Sequence, residues 1–284
     1  MSSTIYESVT ATILESLSKG VVPWRKPWCN APLPINAISQ RAYRGVNVIL
    51  LSLSPYRDHR WLTFKQVGEL GGTIKRGERS TEIVFWKPID VKRRTEEEEQ
   101  IRRRQIPLLK AYRVFNVEQC EGLRLMPSVE RETPEHVRIQ EAEAIIRLMP
   151  DPPRVEERHR SAWYRPADDT VGMPPIQTFH SVDSYYATYL HELAHSTGHE
   201  KRLNRPGVTG VIKFGSETYG NEELVAELAS SYCSAVIGLD TTLLETSASY
   251  IESWLRELRS DPKMVVIAAA RAQKAADYIR GLVF

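Results

Sequence analysis

Apolar residues recur every four positions at Ile5, Val9, Ile13 and Leu17, and Gly20 follows, so the chain is expected to open with an amphipathic helix closed by a glycine cap. Beyond it, glycine and proline punctuate short apolar or alternating stretches. "YRGVNVILLSL", "EIVFWKP" and "KAYRVFNVEQC" predict strands, with one helix near "TFKQVGELGG". The charge run "VKRRTEEEEQIRRRQIP" falls between two of these strands and reads most simply as a long solvated hairpin loop. The texture changes around 122–133, where Thr133-Pro134 predicts a threonine cap and a first turn for a helix reaching Met149. After "MPDPPR" a strand pair is expected around "SAWYRPADDTVGMPP". Helical periodicity then takes over near 182–197, 221–237, 246–259 and 262–280, with Gly238, Ser260-Asp261 and Gly281 closing the last three helices. The pattern predicts an α+β class: a small α+β unit over 1–128, then a mostly helical unit with a small sheet over 129–284.

Composition narrows this picture. The 284 residues suffice for one large core or two of ordinary size. No apolar run approaches the ~20 residues that span a bilayer, and the start lacks the basic-then-apolar order of a secretory signal. A cytoplasmic protein without a membrane partner is expected. Cys29, Cys120 and Cys233 are far apart and outside any CxxC spacing, which argues for free thiols. The net charge of +2 conceals an asymmetry, because residues 1–130 hold 21 Lys and Arg against 14 Asp and Glu, and the remainder holds 17 against 22. An anionic partner is thus expected to meet the first half.

The densest chemistry lies in "TYLHELAHSTGHEKRLNR". His191, Glu192 and His195 form HExxH, and positions four apart lie one above the other on a helix, so both imidazoles can reach one ion. A catalytic zinc takes three protein ligands and keeps a position open for water, whose proton Glu192 can accept. With 7 His in the chain, a shuffled sequence would show HExxH on the order of one to two times in a hundred. What strengthens the motif is "YGNEELVAELASSY", a second helix carrying Glu223 and Glu227 four apart. The small Ala226 between them favours Glu223 as third ligand, with Glu227 behind it orienting a histidine. Glu227 itself and His199, four residues beyond His195 but after the expected cap at Gly198, remain alternatives for the third position.

The basic half interleaves rings and cations. "PWRKPW" sets Trp24 and Trp28 around Arg25 and Lys26, and Arg41, Tyr43, Arg44, Lys75, Arg76 and Arg79 follow in glycine-rich or polar contexts. Stacking rings with cations along the phosphates is what single-stranded nucleic acid requires. Trp61, Phe64 and Phe85 lie on apolar patterns and are expected in the core.

"GVVPWRKPW", "PINAISQRAYRGVN", "RWLTFKQVGELGGTIKRGERS", "YYATYLHELAHSTGHEKRLNR" and "YGNEELVAELASSY" occur in an order that resembles the ArdC-type antirestriction proteins of conjugative plasmids. The amino-terminal part of plasmid TraC-type primases is similar. The resemblance implies a single-stranded-DNA-binding domain joined to a zincin-like metallopeptidase domain, in a protein that protects transferred DNA from host restriction. It carries His191 and His195 over as metal-binding histidines, Glu192 as the catalytic glutamate and Glu223 as the downstream glutamate. One divalent ion, zinc by the ligand chemistry, is the implied cofactor. Single-stranded DNA and a host restriction component are the expected partners. A DNA-coating protein with a structural metal, and a DNA-activated protease of DNA–protein crosslinks, are the competing readings.

Overall fold

The computed structural model describes residues 2–25, 32–93, 102–126, 133–157, 159–209, 217–242 and 248–282. Its class is α+β. Helix α1 (Ser2–Ser18) buries Val9, Ile13 and Leu17 as the four-residue spacing requires, and Gly20 ends it in the left-handed region at φ 74°. Then come β1 (Ile35–Asn36), α2 (Val46–Ser52), β2 (Arg60–Thr63), α3 (Phe64–Glu69), β3 (Thr73–Ile74), β4 (Thr81–Arg93), β5 (Arg102–Asn116) and β6 (Cys120–Glu121). Four of these strands form a sheet in the order β1-β2-β5-β4, parallel only between β1 and β2, while β3 pairs with β6.

Two expectations for this half are corrected. The apolar run predicted as a strand is α2, buried at every residue. A continuous apolar run fits a buried strand or a buried helix equally well. The decision rests on Gly45, whose φ 58° and ψ −138° turn the chain into the helix through a conformation essentially reserved for glycine. Asn47 then ties α2 to β4, donating to Val84 O at 2.7 Å and accepting from Val84 N at 2.8 Å. The charged run is also less of a loop than expected, since β4 and β5 pair continuously from Thr81↔Val114 to Arg93↔Arg102. Its residues 94–101 lie outside the described residues.

The second half contains α4 (Glu135–Leu148), β7 (Arg154–Glu157), β8 (Trp163–Arg165), β9 (Thr170–Met173), α5 (Val182–Ser196), the short α6 (Pro206–Thr209), α7 (Glu217–Ile237), α8 (Ala248–Ser260) and α9 (Met264–Ile279). Gly238 at φ 83° and Gly281 at φ 66° close α7 and α9. Thr133 does not cap α4: Pro134 holds that position, and the Thr133 carbonyl instead accepts from Arg138 Nη1 at 2.5 Å. The expected strand pair is β8 and β9, joined by β7, which runs parallel to β9. Gly172 of β9 lets the Trp163 ring lie flat on the sheet, because a Cβ there would come within 2.3 Å of it.

The main core draws on residues before and after position 128. Val9, Ile13 and Leu17 of α1 and the following Trp24 share one cluster with Leu224 and Leu228 of α7, Trp254 of α8, and Ala269 and Ala272 of α9. Trp24 meets Trp254 edge to face at 5.1 Å between ring centres. Smaller clusters form around Trp61 and around Leu62. Among the described residues, no helix is long and apolar enough to cross a membrane.

Candidate metal centre

Helix α5 starts at Ser181, whose hydroxyl accepts from Ser184 N at 3.1 Å. It packs against α7 through small residues: Ala187, Ala194, Ala226 and Ala229 are each at most 1 % exposed, and Ser230 Oγ donates to Ala187 O at 2.7 Å. With 187 opposite 230, the helices run antiparallel, which brings Glu223 across from the two histidines. The His191 and His195 Nε2 atoms lie 3.1 Å apart, and each is 3.6 Å from an oxygen of Glu223. Among the described residues these three form the candidate donor cluster, with ligand atoms all within 4.8 Å of one another. A tetrahedral zinc with ligands at ~2.0–2.1 Å has ligand–ligand edges of ~3.3 Å, so the donor set fits a divalent ion after small adjustments.

The electrostatics of the cluster agree with that fit. Burial lowers the pKa of each histidine, but hydrogen bonding to carboxylate more than offsets it: Glu223 raises His191, while Glu222 and Glu223 bring His195 to about 10. Burial pushes the Glu223 carboxyl up, yet the two imidazoles hold it well below the usual carboxylate range. Protons therefore occupy the cage when no ion does. Metal affinity is expected to rise as pH increases from about 6.5 toward about 10, with proton release on binding. Calorimetry in two buffers of different ionisation enthalpy counts those protons, and affinity that falls with pH over this range would contradict the assignment.

Glu192 lies beside the cluster, 8 % exposed, and lines a cleft of about 380 Å³ together with His191, His195, Glu223, Trp163 and Tyr164. The last two residues belong to β8, which among the described residues pairs with β9 alone.

The support behind the donors differs from expectation. Glu227, predicted to orient a histidine, is held by Arg25, whose Nη2 donates to its two oxygens at 3.1 and 3.4 Å. The carboxylate facing His195 from behind is Glu222, with Oε1 3.4 Å from Nδ1. Arg205 fixes Glu222 through bonds of 2.9 and 2.5 Å and also donates to Thr197 Oγ1 and Ala194 O. Sequence reasoning missed Glu222 and Arg205; the available signal was a buried-type carboxylate directly preceding Glu223 and an arginine in the loop after HExxH. Gly198 is not a left-handed cap, since Thr197 takes that position in a right-handed conformation. Glycine is needed there because a Cβ would lie 2.4 Å from Val208 and 3.0 Å from Arg205. His199 stays outside the cluster and accepts from Lys201 N through Nδ1.

The residues expected to meet DNA divide. Trp24, 1 % exposed, is core, and its carbonyl accepts from Ser231 Oγ. Tyr43 is buried against Trp61, Ile83 and Val114. Arg25 is turned inward to Glu227, with a side chain only 12 % exposed. Arg41, Arg44, Lys75, Arg76 and Arg79 are exposed, Lys75 also donating to Glu118 O. Lys26 and Trp28 lie outside the described residues. Two rings assigned to the core are exposed instead: Phe64 at 72 % and Phe85 at 45 %, the latter beside Trp86 at 45 %. Proline and cations around a tryptophan therefore do not separate a stacking loop from one folded down onto helices.

Residues 3–115 match the N-terminal domain of anti-restriction factor ArdC, and residues 140–271 match a zincin-like metallopeptidase. The crystal structure of the antirestriction ArdC protein from the R388 plasmid is 35 % identical, with 96 % of each chain covered and a TM-score of 0.76. The chain belongs to the ArdC antirestriction family. A second R388 ArdC structure, equally similar, is Mn(II)-bound, and with the zincin-like match it supports a divalent metal in this family. Family relatives also include a DNA primase TraC of Escherichia coli, 35 % identical over 96 % of this chain, although this chain spans only 27 % of that primase and 20 % of a second. Protein y4eC of Sinorhizobium fredii is 34 % identical over 97 % of this chain and 91 % of its own length.

Proposed function

We propose that this protein is an antirestriction factor of a plasmid or other mobile element, which binds single-stranded DNA and cuts peptide bonds in a host restriction component at a zinc centre. The observation that carries the reading is the His191–His195–Glu223 cluster, with Glu192 beside it on an open cleft, in a chain similar over 96 % of its length to an antirestriction protein. His191, His195 and Glu223 would hold the ion, which supplies Lewis-acid polarisation of a carbonyl when bound. Glu192 takes the proton of the attacking water and returns it to the leaving amine. Among the described residues β8 is an edge strand, whose backbone groups along the cleft suit an extended substrate chain. Glu222 and Arg205 keep the His195 ring in place.

The test combines zinc-loaded and chelated protein with purified restriction-system subunits. Time-dependent cleavage that chelation stops and zinc restores is expected, and subunits left intact by fully loaded protein would end the protease reading. The DNA reading is tested by retardation of an oligonucleotide at low salt, which should weaken steeply as salt rises.

A further inference from the structure

The seam between α2 and α9 encloses a second cavity, of about 370 Å³, that the metal chemistry does not use. Three arginines reach it from different parts of the chain: Arg41 and Arg44 before α2, and Arg280 directly after α9. Behind them Asp277, with a side chain 1 % exposed, pairs with Arg44 and Arg280 and accepts from Gln273 at 3.1 Å. Three cations against one carboxylate leave the cavity positive. Its walls include apolar Leu33, Val48 and Val236, and Tyr232 lines it with a buried hydroxyl that has no hydrogen-bond partner among the described residues.

An adjoining cavity of about 350 Å³ shares Arg44 and Gln273 and adds Trp86 and Lys274. Trp86, 45 % exposed, leans on Tyr6 with ring centres 6.4 Å apart. Guanidiniums suit phosphate, apolar walls suit a flat base, and exposed rings suit stacking. The volume is of the size that holds small organic ligands.

We propose that the cavity is a nucleotide subsite in which Arg41, Arg44 and Arg280 take a phosphate and the apolar wall takes its base, while Trp86 offers an exposed ring to the neighbouring base of a single strand. The strand rests on the DNA reading above; the cavity's charge and shape do not. The ligand chemistry is a nucleotide phosphate, supplied by a strand or by a free mononucleotide. Val236 lies thirteen residues along α7 from Glu223, ~20 Å, so the subsite is separate from the metal centre.

The full-length protein is titrated with a fluorescent 5′-phosphorylated oligonucleotide followed by anisotropy, and with dAMP followed by calorimetry. Arg41→Ala removes one exposed cation, and Val236→Trp fills the cavity from a position 38 % exposed. Lys65→Ala, at a side chain 87 % exposed on α3, is the control. Arg41→Ala should weaken both ligands about tenfold and reduce the salt slope by about one. Val236→Trp should abolish dAMP binding, and all three variants should melt as wild type does. Variants that bind both ligands as wild type does overturn the subsite while leaving the DNA reading intact. Wild type that binds dAMP in this variant-sensitive way but no oligonucleotide keeps the subsite, with a free nucleotide as ligand, and removes the DNA reading. Wild type that binds neither overturns both.

Discussion

Replacing Glu192 by Gln is expected to lower peptide-bond cleavage by about 10²–10⁴-fold while leaving the bound metal in place. Glutamine keeps the shape of the side chain but cannot accept a proton, and Glu192 is not among the three residues whose donor atoms converge. The variant therefore separates proton transfer from metal binding, as His191→Ala cannot. Plasmid transfer into restricting and non-restricting recipients is the decisive readout, after equal metal content and equal accumulation have been confirmed. Lost protection places cleavage in the mechanism. Full protection by Glu192→Gln would remove it and leave DNA shielding by the amino-terminal half as the working account.

Arg205→Ala should destabilise the protein by about 3–5 kcal/mol and weaken metal binding by about 10–100-fold. Arg205 and Glu222 are each only 7 % exposed at the side chain, so removing the guanidinium strands a carboxylate with little water to solvate it. Two further bonds, to Thr197 Oγ1 and Ala194 O, are lost with it. A double replacement, Arg205→Met with Glu222→Leu, should recover most of the stability but not the affinity, because His195 Nδ1 would then face no carboxylate. Urea unfolding and metal titration measure the two effects separately. Unfolding within 1 kcal/mol of wild type for Arg205→Ala would show that the pair is not the support described here.

The metal helix was legible because its chemistry is local: His191 and His195 are related by one helical turn, and no distant contact is needed to bring them together. Glu223 could be read only as one of several candidates, since choosing among it, Glu227 and His199 requires the register of α5 on α7. Glu222 was missed because its role depends on Arg205, seventeen residues away in a loop. The rings misled for a related reason. Whether Trp24 faces Trp254 or water is settled by how the amino-terminal segment lies on a helix more than two hundred residues later, and whether Phe85 faces core or water by which face of β4 is covered. The apolar run of α2 was ambiguous in period, and one glycine dihedral decided it.

The core that joins α1 and Trp24 to α7, α8 and α9 has a consequence for heredity. A gene fusion that carried away only the residues after 128 would lose the aromatic partner of Trp254 and the guanidinium that neutralises Glu227. Descendants of such a break would inherit a bare apolar face and an uncompensated acid. The shared core favours inheritance of the two halves together, as one cassette. The TraC primases fit that rule, aligning with 96 % of this chain while it makes up just 27 % or 20 % of their length.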